Sequence, residues 1–208
     1  MIFMTYYNNM EDIKQVLALF DSAEKWNVFI ELSNMREEMV SELKTRLLIE
    51  LHKIAESELA ESGWSFGSDK NSVYIRPKST PLIAINIEWK WWNDPNAPWC
   101  KRSACLWVDA NSIDSTKVFD QMKSHKDLTA LQDYVENIQN HSWFPFAKQI
   151  PAKVFDVNEN TTSVEECLFL AKDNAKLLAG NLWSEVFKPF AYKECADLMV
   201  SIVNKASM

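Results

Sequence analysis

The chain has 208 residues, of which 47% are hydrophobic and 25% are charged, and its formal net charge at pH 7 is −7. This composition excludes disordered and fibrous proteins, because the apolar residues suffice to form a packed core. With only 3 glycines, the chain has no phosphate-binding loop built from several glycines. It shows neither a long apolar segment nor a signal peptide, so we expect a soluble cytoplasmic protein with no membrane partner.

Charge and tryptophan are unevenly distributed along the chain. Residues 1–62 carry 12 acids and 6 bases, and residues 109–208 carry 14 acids and 10 bases. Residues 63–108 carry only 3 acids against 6 bases, and they contain six of the nine tryptophans. The net charge of the whole chain therefore does not argue against an anionic partner for this middle segment.

The first 62 residues have the apolar spacing of helices. A short amphipathic helix is expected over residues 11–21, and a second one begins at Ser22, whose hydroxyl caps it. The second helix is expected to direct three large side chains inward, namely Trp26, Phe29 and Ile30. A long helix then runs to about Ser62, and Gly63 ends it in a left-handed conformation.

After Gly63 the apolar period changes from about 3.6 to about 2, which indicates strands. Four are expected: Trp64–Phe66, Ser72–Arg76, Leu82–Trp91 and Ala104–Val108. Because the connections between them are short, the strands should pair as an antiparallel meander. In the third strand Ala84, Asn86, Glu88 and Lys90 share a polar face, and Ile83, Ile85, Ile87, Trp89 and Trp91 share the apolar face.

The last hundred residues return to helical spacing. The expected elements are helices over 114–124 and 127–140, a strand over 153–157, a helix from Ser163 to about Gly180, and a final helix over 182–205 that Pro189 interrupts. The sequence therefore predicts a single α+β domain, helical over 1–62, an antiparallel sheet of about four strands over 63–108, and mostly helical over 109–208.

The cysteines and histidines do not form a metal-binding pattern. Cys100 and Cys105 are four residues apart in a C-x4-C spacing, and Cys167 and Cys195 lie far from them. Neither a zinc ribbon nor a secreted disulfide framework has this spacing, so reduced thiols in a core are expected. We expect no metal and no cofactor.

A cluster of bases and aromatics is the leading candidate for a binding surface. Its members are Arg76, Lys78, Trp92, Trp99, Lys101 and Arg102. Exposed aromatic rings stack on nucleic-acid bases while cations follow the phosphates, and such a surface also suits an acidic protein. The alternative is that the aromatics belong to the core and the bases are scattered over the surface. Of the tryptophans in this segment, Trp92 and Trp99 flank a proline-rich loop and are the candidates for exposure.

Glu88 and Lys90 form the strongest catalytic suggestion. An E-x-K sequence on a strand places a carboxylate and an ammonium on one face, as Mg²⁺-dependent phosphodiester hydrolysis requires. A second acid is also needed, and Asp69 lies in a hairpin loop rather than on the preceding strand. A plain salt bridge on a solvated polar face explains Glu88 and Lys90 equally well.

Part of the chain resembles a known family. The residues concerned are the run from Phe20 to Leu32, the long helix after it, and Gly63 and Trp64 leading into Val73–Lys78. They resemble, over about residues 15–110, an accessory region beside the catalytic core of bacterial PD-(D/E)XK-nuclease-like proteins, often encoded near mobile elements. The resemblance implies a stand-alone accessory module that recognises something rather than cutting it, so Glu88 and Lys90 are not carried over as catalytic.

The leading hypothesis from sequence is a non-enzymatic binding module of a bacterial or phage-related system. Its partner would be a protein or a nucleic acid, bound through the basic and aromatic surface. One alternative is an Mg²⁺-dependent nuclease of the PD-(D/E)XK type that uses Glu88 and Lys90. Two others are a regulatory scaffold that forms a homodimer through its helices, and a mimic of DNA charge on the acidic helices.

Overall fold

A computed structural model of the protein describes residues 17–18, 20–92, 102–125, 142–161 and 163–207. The chain divides into two compact units, Met1–Ser41 and Glu42–Met208, and each is described by itself. The helix expected over 11–21 lies mostly outside the described residues, and the helix expected over 127–140 lies wholly outside them. Within the described part of the chain, no helix has both the length and the apolar character needed to cross a bilayer.

The first unit contains helix α1 (Ala23–Asn34), which begins as expected at Ser22. Ser22 Oγ accepts a hydrogen bond from the backbone N–H of Lys25 at 3.3 Å, which confirms the cap. The prediction that three α1 side chains point inward is wrong, because no residue of this helix is buried. The three side chains, each 39–40% exposed, are Trp26, Phe29 and Ile30. Two of them instead pack locally against Phe20, with ring centroids 4.9–5.3 Å apart.

Helix α2 (Arg36–Glu58) is the long helix expected from the sequence. It buries Leu47, Leu51 and Ala55, which lie three to four residues apart on one side, and it ends four residues earlier than expected. Gly63 follows with a φ of 76°, the left-handed conformation expected of it. The Cβ of Ala196 lies 3.2 Å from where a Cβ on Gly63 would stand, so this position also favours glycine sterically.

The second unit is built on an antiparallel sheet in the strand order β1-β2-β3-β4-β5. The strands are β1 (Trp64–Ser68), β2 (Ser72–Pro77), β3 (Ile83–Glu88), β4 (Ser103–Val108) and β5 (Phe146–Gln149). The expected meander is confirmed for the first four. The strand count of about four is slightly wrong, because β5, for which no strand was expected, pairs with β4 as a fifth strand.

The two faces of the sheet differ as the alternation in β3 predicts. One face carries fully buried aliphatic residues, including Val73, Ile75, Ile83, Ile85, Ile87 and Leu106. The other carries Ser72, Tyr74 and Arg76 of β2 beside Ala84, Asn86 and Glu88 of β3. The register sets Tyr74 opposite Asn86 and Ser72 opposite Glu88, so these polar residues form adjacent rows.

The sheet is followed by helices that complete the core. Helix α3 (Trp89–Trp92) is a single turn directly after β3, and α4 (Ser115–Ser124) begins at its cap Asp114. After β5 come α5 (Val164–Leu168), α6 (Ala171–Leu182) and α7 (Lys193–Ala206). Helix α7 packs on β2 and α4 packs on α7. Trp64 Nε1–H on β1 donates to the carbonyl oxygen of Tyr192 at 3.1 Å. The α+β class is therefore confirmed.

Three local expectations after the sheet have different outcomes. The strand expected over 153–157 is wrong: Ala152–Val154 is a 3-10 turn that begins after Pro151, which has no backbone N–H for a ladder. The cap at Ser163 is confirmed, since its Oγ accepts from the Glu166 N–H at 3.2 Å. Pro189 interrupts the last helical segment as expected, and α7 restarts at Lys193.

Candidate functional site

A groove lies on the polar face of the sheet and extends over β2, β3 and β4. It consists of two adjoining pockets of about 640 Å³ and 270 Å³, and the larger falls in the size range of ligand sites. Both pockets are lined by Asp69, Ser72, Glu88 and Trp107; the larger one adds Lys70, Asn71, Lys90, Trp143 and Phe144, and the smaller one adds Tyr74, Arg76, Pro81, Ala84 and Asn86. We call this feature the open groove.

The loop between β1 and β2 fixes Asp69 at one end of the open groove. Asp69 Oδ1 accepts hydrogen bonds from the backbone N–H groups of Asn71 at 2.7 Å and Ser72 at 2.8 Å. Its Oδ2 accepts one from Ser72 Oγ at 2.9 Å. This is an Asx turn, in which the aspartate closes its own loop. Because Ser72 lies opposite Glu88 in the sheet, the turn brings the Asp69 carboxylate close to Glu88.

Asn86 lies two residues before Glu88 on the same face of β3. Its Nδ2–H donates to Glu88 Oε1 at 2.9 Å. Asn86 is only 3% exposed, yet its Oδ1 has no hydrogen-bond donor among the residues that the structure describes. A buried carbonyl oxygen without a donor costs about 1–3 kcal/mol. The wall of the groove thus contains a buried acceptor that the described fold does not use.

The pKa of the Glu88 carboxyl group is well above its ordinary value. Burial raises its pKa to about 7; the charge of Asp69 adds to the rise, and the charge of Lys90 opposes it. The physical reason is that a partly desolvated carboxylate near a second one is disfavoured in its charged form. Residues with such perturbed pKa values cluster at functional sites, although structural networks perturb them as well. We define Asp69, Ser72, Asn86 and Glu88 as the acidic end of the groove.

Lys90 lines the groove, but it lies on a helical turn and not on β3 as expected. The sequence predicts a strand continuing to Trp91, but β3 ends at Glu88 and α3 begins at Trp89. Strand alternation therefore does not explain the position of Lys90. It nevertheless lines the same pocket as Asp69 and Glu88, so the structure brings together the two residues of the E-x-K pattern and the loop acid.

An aromatic wall borders the larger pocket. The rings of Trp107 on β4 and Trp143 are tilted by 32°, with centroids 6.2 Å apart. Both pack against a small buried cluster on the same side of the sheet, formed by Cys105, Phe144 and Ala147. The wall is thus held by a core of its own and presents flat apolar surface to the groove.

Arg76 lies at the far end of the smaller pocket. Its guanidinium carbon is 5.5 Å from the ring centroid of Tyr74, within the range of a cation–π contact. Four residues separate Ser72 from Arg76 along β2, a distance of about 13 Å in an extended strand. The larger pocket therefore contains charges of both signs, and Arg76 adds a further positive charge in the smaller one.

Trp92 was a candidate for exposure, but the structure buries it, in line with the alternative that the aromatics belong to the core. Its ring is 1% exposed and packs edge-on against Trp89 and Phe155, at centroid distances of 5.2 Å and 5.6 Å. Its Nε1–H donates to the carbonyl oxygen of Ser103 at 3.3 Å. The helical turn after β3 explains the difference, since it directs this tryptophan into the core instead of continuing the strand.

Arg102 was also expected on the surface and is buried, with 1% exposure. Its Nε–H donates to the carbonyl oxygen of Ile150 at 2.7 Å, and Nη1 donates to those of Glu159 at 3.1 Å and Thr161 at 2.7 Å. Its φ of 47° is unusual for a residue other than glycine. Arg102 therefore holds a loop in place and contributes nothing to a surface.

The other members of the expected binding surface are distributed as follows. Arg76 lines the open groove, and Lys78 is exposed on the turn after β2. Lys78 Nζ lies 3.4 Å from the carbonyl oxygen of Ala60, to which it donates. Trp99 and Lys101 lie outside the described residues. The structure thus brings only Arg76 of this set into the groove.

Sequence reasoning missed two contributors to the groove, Asn86 and Trp107. The alternation of β3 placed Asn86 on the polar face, but only the pairing register sets it beside Glu88 and opposite Tyr74. No group of three or more His, Cys, Asp or Glu side chains in the described part of the chain is arranged to hold a metal ion. Three cysteines, Cys105, Cys167 and Cys195, are free and buried.

No protein-family model matches the chain, and neither a curated protein nor a solved structure matches it significantly.

Proposed function

We propose that this protein is a non-enzymatic binding module that holds a segment of a protein partner in the open groove. The observation that carries the proposal is the difference between the two faces of the sheet: one is filled with aliphatic side chains, and the other bears polar and aromatic side chains around a pocket of about 640 Å³. Ligand-binding sites in proteins are usually concave and combine apolar or aromatic walls with a few polar groups, and the open groove has this form.

A protein partner suits the groove better than a nucleic acid. The larger pocket is lined by two acids, Asp69 and Glu88, as well as by two bases, so it lacks the predominantly positive charge that a nucleic-acid backbone requires. The aromatic wall formed by Trp107 and Trp143 offers the flat surface on which partner side chains pack. The proposal therefore keeps the interaction role expected from the sequence and moves the surface from the residues around Trp92 to the sheet face. We further propose that the module acts in the cytoplasm, as expected from the sequence, and in a bacterial or phage-related system, as the resemblance implies.

Selection of peptides from a random display library on the immobilised protein tests the proposal. The groove variants are Trp107→Ala, which removes part of the wall, and Asn71→Trp, which fills the larger pocket from its exposed rim without removing packing. We expect both variants to weaken binding of the selected peptides about tenfold or more, as loss of a central aromatic anchor does. Circular dichroism shows that each variant is folded.

Leu177→Ala is the matched control, because Leu177 is 48% exposed and does not line the groove. It should bind the selected peptides as the unmodified protein does. Peptides that bind Asn71→Trp as tightly as the unmodified protein would overturn the proposal. Single-stranded oligonucleotides that bind in the groove when no peptide does would assign the surface to nucleic acid instead.

A second candidate function is Mg²⁺-dependent phosphodiester hydrolysis. The observation that favours it is that Asp69, Glu88 and Lys90 line one pocket, which supplies two carboxylates for a metal ion and an ammonium for the attacking water. Incubation of plasmid and single-stranded DNA with the protein and MgCl₂ or MnCl₂ tests it. Hydrolysis would replace binding as the proposed function if cleavage were lost in Glu88→Gln and in Lys90→Met but retained in the control Glu56→Gln.

A further inference from the structure

We infer that the first unit forms a parallel dimer with a second copy of this chain, through an apolar stripe along α1 and the start of α2. The stripe consists of Val28, Leu32, Met35 and Met39, and we call it the helix seam. None of these residues lines the open groove, so the inference is independent of the proposed function. It assigns to particular residues the homodimer that the sequence left as an alternative.

Exposed apolar side chains are concentrated in the first unit. The structure describes only residues 17–18 and 20–41 of this unit. Nevertheless, eight of the twelve large apolar side chains that are exposed in the described chain belong to these residues. Helix α1 itself has no buried residue. Because monomeric proteins rarely leave so much apolar surface together in water, the first unit presents an interaction surface.

The helix seam has the spacing of a helix–helix interface. Its residues follow one another at intervals of four, three and four, which places them on one side of a helix. Met35, between α1 and α2, maintains the helical path: its N–H donates to the carbonyl oxygen of Glu31 at 3.0 Å, and its carbonyl oxygen accepts from the N–H of Met39 at 2.9 Å. The four side chains are each 48–54% exposed and therefore form one continuous stripe.

The exposed area sets the strength that such a dimer can have. The four seam residues and the adjoining Phe29 present roughly 500 Å² of apolar surface per copy, so a dimer would bury about 1,000 Å². This is the lower limit for a specific protein–protein interface, before the aliphatic parts of the flanking charged side chains are added. We therefore expect a reversible dimer with a dissociation constant in the micromolar range.

Charges beside the helix seam match those of a second copy in a parallel arrangement. Glu31 and Arg36 flank the seam on opposite sides. In two parallel helices packed along such a seam, a residue on one side faces the residue five positions later on the other helix. Glu31 of one copy would therefore face Arg36 of the second copy, and the symmetry of the dimer gives this pair twice. This self-complementarity favours a second copy over an unrelated protein.

An antiparallel arrangement of the same seam is disfavoured by charge. It would set Glu31 of one copy opposite Glu38 of the second copy, again twice, and like charges in contact repel. Charges also mark both ends of the seam. One step of the pattern earlier, Lys25 pairs with Asp21 at 2.8 Å, and one step later stands Glu42.

The polar side of α1 favours a protein over a membrane surface. Helices that lie on membranes carry lysines and arginines on their polar side. The polar side of α1 instead carries Glu24, Asn27, Glu31 and Asn34. The single base of this helix, Lys25, is already paired with Asp21.

Sedimentation equilibrium at increasing protein concentration tests the inference. The unmodified protein should pass from a monomer of 24.1 kDa to a species of twice that mass in the micromolar range. Leu32→Glu and Met39→Glu each place a charge in the seam and should weaken dimerisation about tenfold or more. Leu177→Glu is the matched control, because it introduces the same charge at a similarly exposed leucine of the second unit, and it should leave dimerisation unchanged. Circular dichroism checks that each variant is folded.

Exchange of the flanking charges tests the parallel arrangement. Glu31→Arg and Arg36→Glu should each weaken the dimer about threefold or more, because each sets like charges opposite one another. The double variant should dimerise as the unmodified protein does, since it restores the pair with its signs reversed. A stronger dimer in Glu31→Arg would overturn the parallel arrangement, because only in an antiparallel dimer would the new arginine face Glu38.

Two other results would overturn the dimer itself. One is a protein that remains monomeric at the highest concentration, and the other is a dimer that both seam variants leave intact. Vesicles of phosphatidylcholine and phosphatidylglycerol provide the comparison with a lipid surface. If the monomeric protein binds these vesicles and Leu32→Glu abolishes the binding, the stripe is a membrane surface and the inference fails.

Discussion

Asn86 donates its side-chain amide to Glu88 Oε1 at 2.9 Å, from two residues earlier on the same face of β3. Burial and the charge of Asp69 favour the protonated form of this carboxyl group, and the charge of Lys90 favours the ionised form. The opposing effects leave the pKa of Glu88 at about 7. The acidic end of the groove therefore changes its charge in the pH range of the cell, and this property is directly testable.

The first prediction concerns stability and the variant Glu88→Gln. Between the ordinary pKa of 4.5 and the raised pKa of about 7, the folded protein binds more protons at Glu88 than the unfolded chain does. Its free energy of unfolding therefore falls as the pH rises through this window. The glutamine variant carries no charge to bury, so we expect it to be more stable than the unmodified protein at pH 8 and about equally stable at pH 5.

Urea unfolding at pH 5 and pH 8 measures both values. Glu56→Gln is the control, since Glu56 is exposed on α2, and its difference from the unmodified protein should be the same at both pH values. The other charged groups that line the groove are unchanged in both variants: Asp69, Lys70, Arg76 and Lys90. The prediction would be contradicted if the free energy of unfolding of Glu88→Gln, relative to that of the unmodified protein, were lower at pH 8 than at pH 5.

The second prediction concerns the coupling between the two acids. In Asp69→Asn the amide oxygen still accepts from the N–H groups of Asn71 and Ser72, so the Asx turn remains, but the negative charge is gone. The pKa of Glu88 should fall below its value of about 7, because like-charge repulsion no longer raises it. Carbon-detected titration of the Glu88 side-chain carboxyl measures the shift. Lys90→Gln should move the pKa in the opposite direction, and an unchanged pKa in both variants would refute the coupling.

Most of the sheet was predictable because its pattern is local. The alternation of Ile83, Ile85 and Ile87 with polar residues fixes both the strand and the face that it buries. The fifth strand was not predicted because it has only four residues, two apolar ones followed by Lys148 and Gln149, which show no alternation. Its identity as a strand depends on pairing with β4, which is a tertiary contact that periodicity does not report.

The site was less predictable than the fold for a physical reason. The sequence placed Asp69 in a hairpin loop, three residues before β2, and not on the strand where a second acid was expected. Only the Asx turn and the register that sets Ser72 opposite Glu88 bring the two carboxylates together. Arg102 shows the converse: charge favoured a surface position, but three backbone carbonyl oxygens hold its guanidinium in the interior.

The third prediction tests that structural role of Arg102. Arg102→Met removes the donors of three carbonyl oxygens, those of Ile150, Glu159 and Thr161. Loss of several charge-assisted hydrogen bonds from a buried group should lower the free energy of unfolding by about 3 kcal/mol or more. Arg102→Lys should recover little of it, since one ammonium does not reproduce the planar fork.

Urea unfolding measures the loss, and Lys53→Met on α2 is the control. Lys53 is 63% exposed and pairs only with Glu50 of its own helix, so its loss should change the free energy of unfolding by less than about 1 kcal/mol. A methionine variant at position 102 that is as stable as this control would show that Arg102 does not hold the loop.

The last prediction compares two glycines that differ in their surroundings. A Cβ at Gly67, which lies opposite Tyr74 in the β1–β2 pair, would stand 2.6 Å from the Tyr74 ring, whereas a Cβ at Gly180 in α6 would meet no atom within 4 Å. Gly67→Ala should therefore displace the ring, weaken its contact with Arg76, and lower the free energy of unfolding by about 1–3 kcal/mol. Gly180→Ala should raise it by about 0.5–1 kcal/mol, because alanine is the better residue inside a helix. Urea unfolding gives both values, and the ring-proton shifts of Tyr74 report the displacement; equal effects of the two substitutions would show that Gly67 does not set the position of Tyr74 in the groove.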